Sequence, residues 1–284
     1  MSEAFIIDAV RTPVGRRKGS LAGVHGADLG AHVLQAIVER NSVPAEEYDD
    51  VVFGCVDAIG PLAGDIARTC WLAAGLPEVV PGVTVDRQCG SSQQAVHFAA
   101  QAVMSGTQDV VVTGGVQTMT QIPIGSAMLA ARELGFKDPF SGSEGWTRRY
   151  GKVSVSQFNS AEMIADKWSL SRQQLEEYAL RSHRRALQAI DGGYFDREII
   201  PLNGLQQDET PRRDTSLEKM AELEPLQEGG KITAATSSQT CDAAAALLVV
   251  SEAAVKKYDL KPRARIHHMS ARAEDPIWML TAII

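Results

Sequence analysis

The chain has 284 residues, 44% of them apolar and 22% charged, and a formal net charge of −7 at pH 7. That length supports one large domain or two modest ones around a real core, and the balance is that of an ordinary globular protein rather than a disordered, coiled-coil or collagen-like chain. An acidic chain without a basic tail is poorly suited to nucleic-acid phosphates, no apolar run is long enough to span a membrane, and the start, MSEAFIIDAVRTPVG, lacks the basic and apolar regions of a secretory signal; the expected compartment is the cytoplasm.

The first 120 residues alternate short apolar runs with helical patterns. Residues 4–10 (AFIIDAV) read as a strand, closed by Arg11-Thr12-Pro13-Val14-Gly15, where proline removes a donor. A helix is predicted over 28–39, with Leu29, Val33, Ala36 and Ile37 at helical spacing. Residues 50–56 read as a second strand. A helix over 65–74 follows, stopped by Gly75 and by Pro77 beyond it. Residues 83–85 and 109–113 are the third and fourth strands. Between them lies a helix over 91–104 with the stripe Ala95, Phe98, Ala99, Ala102 and Val103. Near-continuous apolar strands alternating with helices predict an α/β fold whose sheet is buried on both faces.

Residues 122–151 are rich in Gly, Pro and Ser and predict loops with short helical pieces. Helices are expected over 157–168 and 172–190, the second starting at a Ser171 N-cap and ending at Gly192-Gly193. Residues 206–213 form a polar, charged loop. From Lys231 the α/β texture returns, with strands over 245–250 and 265–269 flanking a helix over 251–258. The simplest organisation is a sheet domain (1–120 and 231–270) carrying an inserted, mostly helical lobe (121–230). Residues 271–284 start a further domain that is cut short, and they stop on apolar residues.

The four cysteines, Cys55, Cys70, Cys89 and Cys241, include no CxxC and no histidine at zinc spacing, so neither a metal site nor a disulfide framework is expected. The strongest local signal is Asp86-Arg87-Gln88-Cys89-Gly90-Ser91-Ser92-Gln93-Gln94, a polar turn that brings Cys89 to a helix start. Unsatisfied amides and the helix dipole there stabilise a thiolate, which makes Cys89 a candidate nucleophile. Its own amide could serve an oxyanion, and Gly90 would admit a substrate close to the backbone. The local chemistry alone leaves a buried structural cysteine open as the other reading. No phosphate-binding loop of the GxxxxGK[ST] or GxGxxG kind follows a strand.

Several stretches, in order, resemble the thiolase family: Arg11-Thr12-Pro13-Val14-Gly15, the Cys89 turn, Gly114-Gly115-Val116-Gln117-Thr118-Met119-Thr120, Ser160-Ala161-Glu162, Thr215-Ser216-Leu217-Glu218-Lys219-Met220 and Thr233-Ala234-Ala235-Thr236-Ser237-Ser238-Gln239. The wording around Cys89 and Ser237-Ser238-Gln239 is most similar to steroid-degradation thiolases of mycobacterial type. The resemblance implies a layered fold, with a mixed sheet flanked by helices and an inserted loop domain, and CoA-dependent cleavage of 3-ketoacyl-CoA, or the reverse condensation, through an acyl-Cys89 intermediate. CoA and acyl-CoA would be substrates, with no permanently bound cofactor, and the protein would form homodimers or homotetramers. By the same resemblance Ser238 meets the pantetheine arm and Arg212 the adenine end, although Arg213 is one residue away. Phe158 stands where the family has a methionine lining the pantetheine tunnel. For the arginine pair, plain solvation is an equal reading.

The family's downstream motifs, Asn-Glu-Ala-Phe, Gly-His-Pro and Cys-x-Gly-Gly, do not occur among the 284 residues. His267-His268 and Cys241 do not match them, and His25, His32, His97 and His183 read as surface or packed groups. The chain as given is therefore expected to be catalytically incomplete. A non-catalytic protein that binds CoA or a partner is the alternative from a different class, and a ketoacyl synthase-like enzyme is the alternative within enzymes. One departure concerns the backbone: the family has Asp-Gly where this chain has Asp242-Ala243. A Cβ there would cost about 1 kcal/mol or more if φ were positive.

Overall fold

The computed structural model describes residues 3–284. In chain order the elements are β1 (Ala4–Arg11), β2 (Gly15–Arg16), α1 (Gly26–Glu39), β3 (Asp50–Gly54), α2 (Ile66–Ala73), β4 (Gly82–Val85), α3 (Ser91–Ser105), β5 (Val110–Thr118), α4 (Ser126–Glu133), α5 (Glu144–Tyr150), α6 (Gln157–Lys167), α7 (Arg172–Asp191), α8 (Leu217–Ala221), β6 (Cys241–Ser251), α9 (Glu252–Lys257) and β7 (Ala264–Arg265). They divide into two compact units. The first holds the described residues up to Ala127, with Phe195–Thr210 and Thr240–Met269; the second holds Met128–Tyr194, Pro211–Gln239 and Ser270–Ile284.

The first unit is built on one mixed sheet in the order β4-β3-β5-β6-β1-β7, with β2 paired to β6. β3 runs parallel to both β4 and β5, whereas β6 is antiparallel to β5 and β1. Strand alternation sorts the apolar residues onto two faces. Val51, Phe53, Val110, Val112, Leu248 and Val250 face α1 and α2 in the larger core. Their neighbours Val52, Val111 and Val249 face Ala95, Ala99, Ala100 and Val103 of α3. The sequence therefore reads as continuous apolar runs because both faces are covered. Trp71 of α2 is fully buried, and its indole N–H donates to the Pro77 carbonyl at 2.8 Å, so a large apolar side chain is buried without an orphaned donor. α3 ends at Gly106, whose φ of 78° supplies the left-handed C-cap.

β5 and β6 run longer than their apolar cores, because Gly115↔Ala245 through Thr118↔Asp242 continue the ladder with small and polar residues. β7 is shorter than expected. After Arg265 the chain leaves the ladder, and Ile266 and Met269 pack against the α3 face instead. Residues Phe195–Thr210, read from the sequence as part of the insert, pack with the sheet unit through Arg11. Its guanidinium donates to Glu198 (2.7 Å) and to both carboxylate oxygens of Asp208 (2.7 and 3.1 Å), and it lies over the Phe195 ring. Arg11 and Thr12 of the first motif thus act as fasteners. Thr12 is fully buried, and its hydroxyl accepts the Ala244 amide at 3.1 Å. Ala243 lies in β6 opposite Gln117 and is not among the positive-φ residues, so the strain considered from the sequence does not arise.

The second unit is helical. α7 opens on a Ser171 N-cap and closes at Gly192-Gly193, as its sequence predicts, and Gln174 completes a capping box with Ser171. No helix among the described residues is long and apolar enough to cross a membrane.

Candidate active site

In the first unit, β4 ends at Val85 and the chain turns through Asp86–Gly90 into α3. Cys89 lies just before the Gly90 N-cap and is exposed. The turn is tightly braced. The Asp86 carboxylate accepts the Gln88 amide (2.7 Å), the Gly90 amide donates to the Arg87 carbonyl (3.1 Å), and the Ser91 amide donates to the Gln88 carbonyl (3.0 Å). Gln88, immediately before the cysteine, holds a left-handed backbone with φ 48°. A side chain there costs about 1 kcal/mol or more, which the surrounding bonds must offset.

The turn sits low on the sheet because two paired glycines leave room beneath it. Gly54 ends β3 opposite Gly115 of β5. A Cβ on Gly54 would overlap the Ser92 amide nitrogen and the Ser91 carbonyl carbon, and one on Gly115 would overlap the Ser92 hydroxyl and the Gly54 carbonyl oxygen. Gly90 is less constrained: its φ is −89°, and a Cβ there would approach the Arg87 carbonyl oxygen only to 3.4 Å. The fold itself does not require glycine at that position.

The other three cysteines differ from Cys89. Cys55 and Cys70 are buried, and burial pushes both thiols up to about 12, with Asp86 and Asp57 adding to the shift at Cys55. Cys241 is half-buried and shifted upward by burial first and then by Asp242. A thiol held protonated is a poor nucleophile. The Cys55 thiol points toward Gln117 Oε1, which also accepts the Val56 amide at 3.0 Å.

The second unit contains a cavity of about 280 Å³ lined by His183, Arg212, Lys219, Met220, Leu223 and Ser237, among others. Ser238 is exposed between Ser237 and Gln239, which both line it. Phe158 on α6 is 48% exposed and is not one of the lining residues. Of the arginine pair, Arg212 faces the cavity, whereas Arg213 is paired with Asp191 at 2.6 Å. The wall is held by groups the sequence did not single out. Arg172 donates to the carbonyls of Met220 (2.9 Å), Ala221 (3.1 Å) and Leu223 (2.6 Å) at the end of α8, and to the buried Glu176 at 2.7 Å. The Arg212 amide donates to His183 Nδ1 at 3.2 Å, which assigns the ring proton of neutral His183 to Nε2. Burial first, and then Arg212, hold His183 below its usual value of 6.5. With His183 neutral, Arg212 and Lys219 stand against one acidic side chain, Asp214, which pairs with Lys219 at 3.3 Å, and the remaining positive charge suits this cavity to an anionic ligand despite the acidic chain. The described residues hold no group of three or more His, Cys, Asp or Glu able to bind a metal ion.

A mixed α/β sheet that delivers an exposed cysteine to a helix start, linked in sequence to a helical insert, describes a class of cysteine-bearing layered proteins. Residues 4–253 match the thiolase N-terminal domain, and the chain belongs to the thiolase family. It is 57% identical, along its whole length, to the steroid 3-ketoacyl-CoA thiolase FadA6 of Mycobacterium tuberculosis, of which it covers 70%. It is 39% identical to a 3-ketoacyl-CoA thiolase of Serratia proteamaculans and 38% identical to one of Salmonella typhimurium, covering 72% of each with 97% of its own length.

Proposed function

We propose that this chain is the nucleophile-bearing portion of a 3-ketoacyl-CoA thiolase, with Cys89 as the acylated residue. The observation that carries this reading is Cys89 itself, exposed on a braced turn at the start of α3, where the other three cysteines are buried or half-buried with their thiols shifted upward. In thiolysis the Cys89 sulfur attacks the keto carbon of the 3-ketoacyl-CoA, and the Cys89 amide serves the resulting alkoxide. The bond between C2 and C3 breaks, leaving the acyl group on sulfur and acetyl-CoA as an enolate that takes up a proton. A CoA thiolate then attacks the acyl thioester and releases Cys89. The reverse sequence is the condensation, and metabolite levels set the direction.

Arg212 and Lys219 line the cavity of the second unit and suit the phosphates and nucleotide of CoA. The places of Ser238 and Phe158 along the pantetheine arm rest on the family resemblance alone, since neither lines that cavity. The identity to a steroid thiolase supports a bulky, ring-derived acyl group. A homodimeric or homotetrameric assembly in the cytoplasm accompanies the reading. The test is intact-mass analysis after incubation with acetyl-CoA: a single acetyl adduct, mapped to Cys89 and lost in Cys89→Ala, is expected. A folded protein that acquires no adduct overturns the proposal.

A further inference from the structure

The turn that presents Cys89 depends on one side chain beyond it. Ser91, the first residue of α3, is only 3% exposed, so its hydroxyl is not a solvated helix-start group. The hydroxyl oxygen accepts the Arg87 amide at 2.9 Å and its proton goes to the Gln88 carbonyl at 2.6 Å. It therefore ties the two residues before Cys89 to the helix that follows. A serine at an ordinary N-cap accepts from amides ahead of it in the helix. Ser91 instead reaches backward, across the cysteine, to the segment with the unfavourable φ at Gln88. The Gly54–Gly115 floor fixes how close the first turn of α3 sits to the sheet, and Ser91 fixes how the turn is wound upon it.

We infer that Ser91 is a positioning residue for Cys89, resting on the reading of Cys89 as the acyl carrier. Without the hydroxyl the partly buried Arg87 amide loses its acceptor, and Gln88 is released toward ordinary backbone. Both the sulfur and the main-chain N–H of Cys89 then leave the single geometry in which they act on one carbonyl. Such acylation is sensitive to displacements below 1 Å, whereas attack on a small, unanchored electrophile is not.

The experiment compares wild type, Ser91→Ala and Ser91→Thr. It uses the full chain and three measurements: acetylation of Cys89 by acetyl-CoA, alkylation of Cys89 by iodoacetamide, and hydrogen exchange at the Arg87 amide. In Ser91→Ala, acetylation is expected to slow by about tenfold or more while alkylation changes by less than about threefold and the melting curve is retained. Exchange at Arg87 accelerates by about tenfold in the same variant, and Ser91→Thr, which keeps the hydroxyl, restores both. Acetylation of Ser91→Ala at the wild-type rate overturns the inference, as does a Thr variant as slow as the Ala variant. Loss of the native melting transition in Ser91→Ala also overturns it, since the role is then structural. If the wild type is not acetylated, the proposed activity falls by itself. The positioning claim then stands or falls on exchange at Arg87, and an unchanged amide in Ser91→Ala ends it.

Discussion

Arg11 lies in the most motif-like stretch of the N-terminus, yet its guanidinium is committed within the first unit to Asp208, Glu198 and the Phe195 ring. Burial works against its charge, and hydrogen bonding to Asp208 and Glu198 outweighs burial, so its pKa sits above the usual arginine value. Replacing Asp208 by Ala leaves the Arg11 cation with Glu198 as its one carboxylate partner and takes the acceptor from the Val14 amide, which donates to the Asp208 carboxylate at 2.8 Å. The expected loss is about 2 kcal/mol in urea unfolding, and a loss under about 0.5 kcal/mol would show that water replaces the carboxylate. His183 gives a pH-dependent case. Its folded pKa lies below 6.5, so in the window from that value up to 6.5 the unfolded chain binds more protons. Stability therefore rises with pH across the window and falls as pH drops, because burial and then the Arg212 charge disfavour the imidazolium, whose protonated Nδ1 also can no longer accept the Arg212 amide. Titration by NMR should place His183 below 6.5, with the Arg212 amide losing protection as the ring protonates. A midpoint above 6.5 would contradict the structure. The position of Cys89 at the start of α3 was legible at this scale from a local pattern. His183 was not, since its relevance depends on a residue 29 positions away.

Among the elements, the strands were legible where two covered faces demand continuous apolar residues, as at Val51-Val52-Phe53 and Val110-Val111-Val112. They were less legible where pairing outlasts hydrophobicity. Asp242 and Ala243 carry no strand signal, yet β6 includes them, and the Asp242 carboxylate accepts the Thr120 amide (2.8 Å) and hydroxyl (2.6 Å) just past the end of β5. His267-His268 gave the reverse error, because an apolar residue on each side mimicked a strand while Ile266 and Met269 were packing against α3. The glycine floor escaped the sequence for a related reason. Gly54 is constrained by Ser91 and Ser92, which are distant in sequence and come close only after β3 and α3 are in place. Gly54→Ala forces backbone apart rather than a flexible side-chain tip. It should cost about 2 kcal/mol in stability and slow Cys89 acetylation. Stability and acetylation both unchanged would mean that α3 tolerates a higher seat and that the floor does not set the turn.

For the whole chain, acylation and turnover are separable. The chain holds an exposed cysteine on a braced turn and a cationic cavity, one in each compact unit. Transfer of an acetyl group from acetyl-CoA to sulfur requires a thiolate, an oxyanion donor and a bound CoA moiety. Cleavage of a 3-ketoacyl-CoA also requires a proton for the departing enolate and removal of one from the incoming CoA thiol. Positioned acid–base groups contribute about 10²–10⁴-fold to each such step. None of the six histidines occupies a Gly-His-Pro context, and Cys241, shifted upward by burial, is ill placed to substitute as a base. The 284-residue chain should therefore form acetyl-Cys89 in a single turnover. Steady-state thiolysis of acetoacetyl-CoA should fall below that of a thiolase carrying those motifs by about 10³-fold or more. The two rates can be measured on one sample, by mass for the adduct and by substrate loss for the turnover. Robust CoA-dependent cleavage, abolished in Cys89→Ala, would mean that the proton transfers are made by groups within these 284 residues.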